Sequence, residues 1–295
     1  LRTHVLASIA SGYVYDVKGI FNFLSYTFLA HQKKTFNLLE IISDIFEFLA
    51  KEGMIKKEGL RYFPTAFGSC ISRLYVDPLS GIVLKAGLML AKKIKHPATL
   101  GWLHLICCCP DMGLLSLNRK DGEKLDPFLS SHSLDMILTP ENSQLLDDYL
   151  YFMATVKTSW LLHSWIEEEK EDTICDRFSI GPGDIRRHIE TAEWLFYAAS
   201  VLADLFKLKN EAFLLECLRK RMVYGIKEEL LELVDLRGVG RVRARNLFKK
   251  GIHKLSDLKY VDTAFLAKIE QIGPLLAKDI RNQITKPLLK SQPRY

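Results

Sequence analysis

The densest run of chemically capable residues is Leu236-Arg237-Gly238-Val239-Gly240-Arg241-Val242-Arg243-Ala244-Arg245-Asn246-Leu247. Two glycines one residue apart permit a tight turn and let an anion approach the backbone. A helix starting after Gly240 would aim its first amides at that anion, and its dipole would favour the negative charge. Arg241, Arg243 and Arg245 add cations that hold a phosphate backbone of any sequence. This is a helix-hairpin-helix pattern, with Gly238, Gly240, Arg241, Arg243 and Arg245 as candidate DNA-binding residues. The same residues also fit a plain glycine turn between packed helices, with a solvated basic face. A weaker echo follows at Ile269-Glu270-Gln271-Ile272-Gly273-Pro274-Leu275-Leu276-Ala277. There Pro274 removes one backbone donor, so that hairpin reads as mostly structural, with Lys278 and Arg281 near enough to add phosphate contacts.

A second constellation lies on Gly181-Pro182-Gly183-Asp184-Ile185-Arg186-Arg187-His188-Ile189-Glu190-Thr191-Ala192-Glu193-Trp194-Leu195. Proline followed by Asp184 suits a helix start. Arg187 and Trp194 are seven residues apart, so on a helix they differ by only about 20°. A guanidinium and an indole so spaced can each stack on a base of a single strand, at about 1–3 kcal/mol per base. The competing reading is plainer: a tryptophan in a helical bundle is more often core. Glu190, three residues from Arg187, could also pair with it and make this an ordinary polar face.

Charge is informative once the chain is divided. From Leu236 to Tyr295 there are 14 Lys and Arg against 4 Asp and Glu. The other 235 residues hold 27 basic and 31 acidic ones. The whole basic surplus therefore sits in the last fifth, where it suits a polyanion. Catalytic signatures are missing from the sequence: it contains no G-x-x-x-x-G-K-[ST] phosphate loop, no HExxH and no nucleophile elbow. His104, His132, His163 and His188 are scattered and read as ordinary core or surface histidines. The cysteines Cys70, Cys107, Cys108, Cys109, Cys175 and Cys217 form no C-x2-C pair. Three consecutive thiols cannot converge on one tetrahedral metal, so they read as small buried hydrophobes of a reducing, cytoplasmic protein. The most apolar run, Leu100 to Cys109, is about half the length of a membrane span. The start, Leu1-Arg2-Thr3-His4, reads as a piece cut from a longer chain.

The elements that must position these residues are nearly all helical. Thr35 to Leu49 carries apolar residues at helical spacing, with Gly53 as a terminator. Met54 to Thr65 reads as two short strands around a turn at Glu58-Gly59, ended by Pro64, and Thr65-Ala66-Phe67-Gly68 starts a closing helix. That order is a winged helix. Glu40, Asp44 and Glu47 on its recognition-helix candidate are poor chemistry for phosphate, so a packing role is favoured. Beyond it, Leu84 to Ile94, Ala98 to Cys108, Asn142 to Phe152, Thr155 to Glu167 and Gly183 to Phe206 read as helices. Pro110, Gly113, Leu125-Asp126-Pro127 and Pro140 read as breaks. The run Glu167-Glu168-Glu169-Lys170-Glu171-Asp172 reads as a solvated helix end. A helix ending in Leu233-Val234-Asp235-Leu236 leads into the hairpin. The expected fold is mainly α: a winged helix with a small β-hairpin over 1–76, a helical bundle over 77–223 and a helix-hairpin-helix domain over 224–295.

This order resembles the C-terminal half of the archaeal superfamily-two DNA repair helicases of the Hjm type. Leu1 to Leu6 is similar to the start of that family's winged helix. Val156-Lys157-Thr158-Ser159-Trp160-Leu161-Leu162, Gly181 to Arg186 and Glu190 to Leu195 are similar to its ratchet helix and approach. Arg237 to Arg245 is similar to its terminal domain. In that family two motor domains use ATP and Mg to pull a strand in the 3′ to 5′ direction at replication forks. The resemblance implies that Arg187 and Trp194 meet the bases, and that Arg243 and Arg245 grip the emerging strand as a brake. It further implies single-stranded or forked DNA and helicase motor domains as partners, no membrane, a monomer, and no cofactor in this chain itself, since the motor motifs are missing from it. The other reading, from a different class, is a degenerate helicase cassette that serves as a protein-interaction scaffold.

Overall fold

A computed structural model describes residues 1–27, 38–94 and 97–285. The chain forms two compact units: Leu1–Trp160 with Glu190–Glu216, and Leu161–Ile189 with the chain from Cys217 on.

The first unit opens with α1 (Arg2–Ala10), α2 (Val17–Ser25) and α3 (Leu38–Lys51). Asp16 caps α2 by accepting from the Gly19 amide at 2.6 Å. The apolar period of α3 buries Ile42, Phe46 and Leu49 completely. Residues 35–37 of the expected helix lie outside the described residues. The chain leaves α3 through Gly53, at φ +73°, and forms β1 (Ile55–Glu58) and β2 (Arg61–Pro64). These pair antiparallel with Glu58 opposite Arg61, which leaves a two-residue turn at Gly59-Leu60. Thr65 then caps α4 (Ala66–Leu74): its Oγ1 accepts from the Gly68 amide at 3.1 Å and donates to the Gly53 carbonyl at 2.7 Å. Gly68 is obligatory, because a Cβ there would lie 1.9 Å from the Met54 carbonyl oxygen. Helix, wing and closing helix thus follow one another as the sequence predicts.

Next come α5 (Pro78–Ala91), α6 (Thr99–Cys107), α7 (Gly122–His132) and α8 (Tyr149–Ile166). Asp77 caps α5 by accepting from Leu79, and it also receives Arg2 Nε at 2.8 Å, which ties in α1. Two expectations are corrected. Pro127, expected as a break, lies inside α7. The two helices expected at Asn142–Phe152 and Thr155–Glu167 are replaced by a 3₁₀ turn at Gln144–Leu146 and a single 18-residue α8 that begins at Tyr149. The Thr155 and Thr158 hydroxyls donate back to the Phe152 and Ala154 carbonyls, so these residues pass through the helix without interrupting it. Against α8 lies α6, buried from Leu100 to Cys107, whose His104 Nε2 is 3.0 Å from Thr155 Oγ1. Cys107, Cys108 and Cys109 are buried beside it. Tyr151 donates its hydroxyl to the Cys108 carbonyl at 3.2 Å.

The second unit contains the end of α8, α9 (Glu171–Phe178), the start of α10 (Pro182–Leu205) and the end of α11 (Lys209–Tyr224). Then come α12 (Arg241–Lys249), α13 (Thr263–Ala267) and α14 (Pro274–Thr285). The helix expected to lead into the hairpin is instead two 3₁₀ turns, Glu228–Leu230 and Leu233–Asp235. Leu230, Leu233, Leu247, Leu258, Leu266 and Ile280 form the centre of one apolar core. No single described helix is long and apolar enough to cross a membrane.

Candidate nucleic-acid interface

The second unit contains two turns built on one plan. In the first, Gly238 takes φ +81°, Val239 plugs into the core, and Gly240 begins α12 with no side-chain cap. The first intrahelical bond runs from the Ala244 amide to the Gly240 carbonyl at 2.9 Å. The preceding amides of that helix end are therefore left for an outside acceptor. In the second turn Gln271 takes φ +62°, Ile272 is the plug, and Gly273 accepts from Ala277 at 3.0 Å. Pro274 stands where Arg241 stands in the first, so this helix end offers one donor fewer.

The three arginines of α12 differ from the free, exposed cations that the sequence suggests. Arg243 donates through Nε to the Gln271 carbonyl at 2.9 Å and through Nη1 to the Gly238 carbonyl at 2.7 Å. It thereby fastens one turn to the other. Arg241 donates to the Glu169 carbonyl at 2.6 Å and lies 5.0 Å over the Trp165 ring. Burial pulls its pKa down. Arg245, expected to be exposed, keeps only 21% of its side-chain exposure. It forks onto Glu168 at 2.6 and 2.7 Å and reaches Glu229 at 2.8 Å.

The acidic run is corrected with it. Expected in solvent, Glu168 is 13% exposed and sits at φ +63°, where non-glycine residues are rare. Its carboxylate also accepts from the Lys227 amide at 3.0 Å. Burial pushes Glu168 up, but the Arg245 hydrogen bonds, the Lys227 amide and the charges of Arg245 and Arg241 outweigh this and hold it low. Beside it Glu167 pairs with Arg221 at 3.1 Å, and Glu169 with Arg177 at 2.7 Å. The sequence signal for this joint was the acidic run itself, whose cations are remote in sequence.

On α10 the two candidates belong to different units. Arg187, in the second, is exposed and stands 3.7 Å from Asp184. Trp194, in the first, is half-buried and donates from Nε1 to the Leu74 carbonyl at 3.0 Å. That position lies between the two readings of the sequence: the ring edge is fixed and part of the ring is open. A cavity of about 350 Å³ adjoins it, lined by Cys70, Arg73, Leu74, Trp194, Tyr197 and Val201. Sequence reasoning missed Arg73 and Tyr197, although Tyr197 follows Trp194 by one helical turn.

No group of three His, Cys, Asp or Glu among the described residues could hold a metal. The sequence holds no phosphate loop either.

Comparison with known proteins agrees with this arrangement. Residues 100–225 match the family described as archaeal helicase, domain 4. Residues 230–286 match the SAM-like helix-hairpin-helix tandem. The chain is 35% identical to the ATP-dependent DNA helicase Hel308 of Methanocella arvoryzae, over 100% of this chain and 40% of that protein. It is 33% identical to Hel308 of Pyrococcus abyssi, over 100% of this chain and 41% of that protein. With Hel308 of Pyrobaculum calidifontis the identity is 32%, over 98% and 39%. The chain thus spans about two fifths of the length of these relatives. The helicase domain, the hairpin tandem and the end-to-end matches together make this chain similar to the C-terminal half of the Hel308-type archaeal DNA helicases.

Proposed function

We propose that this chain is the single-stranded DNA-binding ratchet and brake of an ATP-dependent 3′–5′ DNA repair helicase acting at replication forks. Its modules are the winged helix over 1–76, the ratchet bundle over 77–223 and the helix-hairpin-helix domain over 224–295. It works as a monomer, with motor domains and single-stranded or forked DNA as partners. The observation that carries the reading is the pair of hairpin turns, the first of them opening an uncapped helix start, in the most basic part of the chain. Backbone amides there suit phosphate oxygens of any sequence. Gly238 and Gly240 admit the strand and Arg243 holds the turns in place. Trp194 and Arg187 on α10 supply stacking surfaces to bases.

Single-strand affinity of this chain tests the reading. About four phosphate contacts give a log–log salt slope of about −3. A flat response between about 50 and 200 mM salt overturns it. The internal pairing of Arg241 and Arg245 favours a second reading, the protein-interaction scaffold, because those cations already have protein acceptors. A folded chain without measurable single-strand affinity would select the scaffold.

A further inference from the structure

We infer that the cavity beside Trp194 receives one unstacked nucleobase of a single DNA strand, and that Arg73 and Tyr197 contact it there. This rests on the function proposed above and adds two residues to it.

The walls come from α4 and α10. Leu74 is the last residue of α4, and Tyr75 after it takes φ +58°. The Leu74 carbonyl belongs to the set that a helix end leaves without an intrahelical partner. Trp194 Nε1 supplies the partner at 3.0 Å. The indole is thereby held by its edge before any ligand arrives, so little side-chain entropy remains to be lost on binding. One turn along α10, Tyr197 is 47% exposed. Val201, a further turn on, and Cys70, 3% exposed, add apolar surface.

At the rim stands Arg73, exposed on α4. It has no hydrogen bond, ion pair or ring contact among the described residues. This contrasts with Arg241, Arg243 and Arg245, which all have acceptors within the protein. Two aromatic rings, an apolar floor and an uncommitted planar cation are what a base with its phosphate asks for: rings for its faces, a guanidinium for its carbonyl oxygens or backbone charge. A wholly apolar ligand would gain nothing from the guanidinium. A volume of about 350 Å³ is ample for one base.

The experiment titrates the full chain with a labelled oligothymidylate, then with an oligonucleotide of equal length made of abasic sites. Arg73→Ala and Tyr197→Ala should each weaken oligothymidylate binding about fivefold or more. Tyr197→Phe should bind like the parent chain, because the ring is kept. On the abasic strand the Tyr197→Ala loss should vanish. Both residues are exposed, so melting temperatures should stay within a few degrees and show that the variants fold. If the parent chain binds oligothymidylate and both alanine variants match it, the cavity holds no base. The same conclusion follows if the Tyr197→Ala loss is equal on the abasic strand. If the parent chain binds neither strand, the proposed function fails, and this assignment with it.

Discussion

Around His104 the first unit buries neutral polar groups, whereas around Glu168 the second unit buries ionised ones. Burial pulls the His104 pKa down to about 4 and pushes the Cys107 and Cys109 thiols well up. It also raises Tyr151 to about 12. Each of these groups keeps its uncharged form, and each named polar contact is with a neutral group: Thr155 for His104, the Cys108 carbonyl for Tyr151. At the joint the signs are reversed. Glu168 and Glu229 are held low and Arg245 is raised, all through the same fork of hydrogen bonds. One region is thus sensitive to gaining a proton on imidazole, the other to losing a carboxylate charge. The arginines that most resemble DNA ligands lie in the second, where their charge already has a use.

The largest test of this contrast is acid. The unfolded chain protonates His104 near pH 6.5, the folded chain only near 4. Between these values the unfolded state binds more protons, so stability falls as pH drops, by up to about 3 kcal/mol. The depressed carboxylates act lower: their contribution is present above an unfolded pKa of about 4.3 and is lost as pH falls below it. Urea unfolding followed from pH 7 to 4.5 should therefore show a loss that His104→Gln flattens and Glu168→Gln leaves alone. An unchanged slope in the histidine variant would break the comparison.

Arg245→Ala comes next. Losing one partner of a buried pair costs about 3–5 kcal/mol; the 21% exposure of Arg245 and 39% of Glu229 lower the expectation to about 2 kcal/mol. Denaturation that costs under about 0.5 kcal/mol would return Arg245 to the class of surface cations. Glu168→Gln should cost about 1–2 kcal/mol, since the charge is lost and the amide nitrogen sets a donor against one donor of the Arg245 fork. It also leaves Arg245 with the more exposed carboxylate of Glu229 in place of the two-carboxylate fork. Single-strand affinity at low salt should rise, and the salt slope should steepen by about 0.7, the share of one further phosphate contact. Equal slopes would show that Arg245 stays away from the strand. The smallest effect on stability belongs to Arg187→Ala, within about 0.5 kcal/mol; titration should nonetheless find its single-strand affinity reduced.

How far these features could be read from sequence depends on the range of the contacts. The wing was legible because Gly53, Gly59, Pro64 and Thr65 act on their own neighbours. So was the Gly238 turn, and so was its weaker copy at Gln271, down to the missing donor at Pro274. The Glu168–Arg245 pair was not, because it joins residues separated by 77 positions. An acidic run says nothing of its partners until the chain is folded. Trp194 lay at the limit: helical spacing placed it on α10, but only the Leu74 carbonyl, 120 positions away, fixes its edge. The Thr155–Ser159 stretch misled for a local reason. Residues that break or weaken a helix in isolation are tolerated where packing outweighs propensity, as on the buried side of α8.

The consecutive cysteines of the first unit grade the molecule's reactivity toward thiol reagents. Cys107, Cys108 and Cys109 are at most 1% exposed and hold their protons at neutral pH, so they present neither surface nor thiolate to a maleimide. Cys70 is nearly as enclosed. Cys175 and Cys217 are half-buried, and Cys175 is slowed by burial and by the carboxylates of Glu171, Asp172, Asp176 and Asp184. A brief treatment of the folded protein should therefore modify at most these two sulfurs, and the silent triplet becomes a reporter: its labelling marks the moment at which α6 comes away from α8.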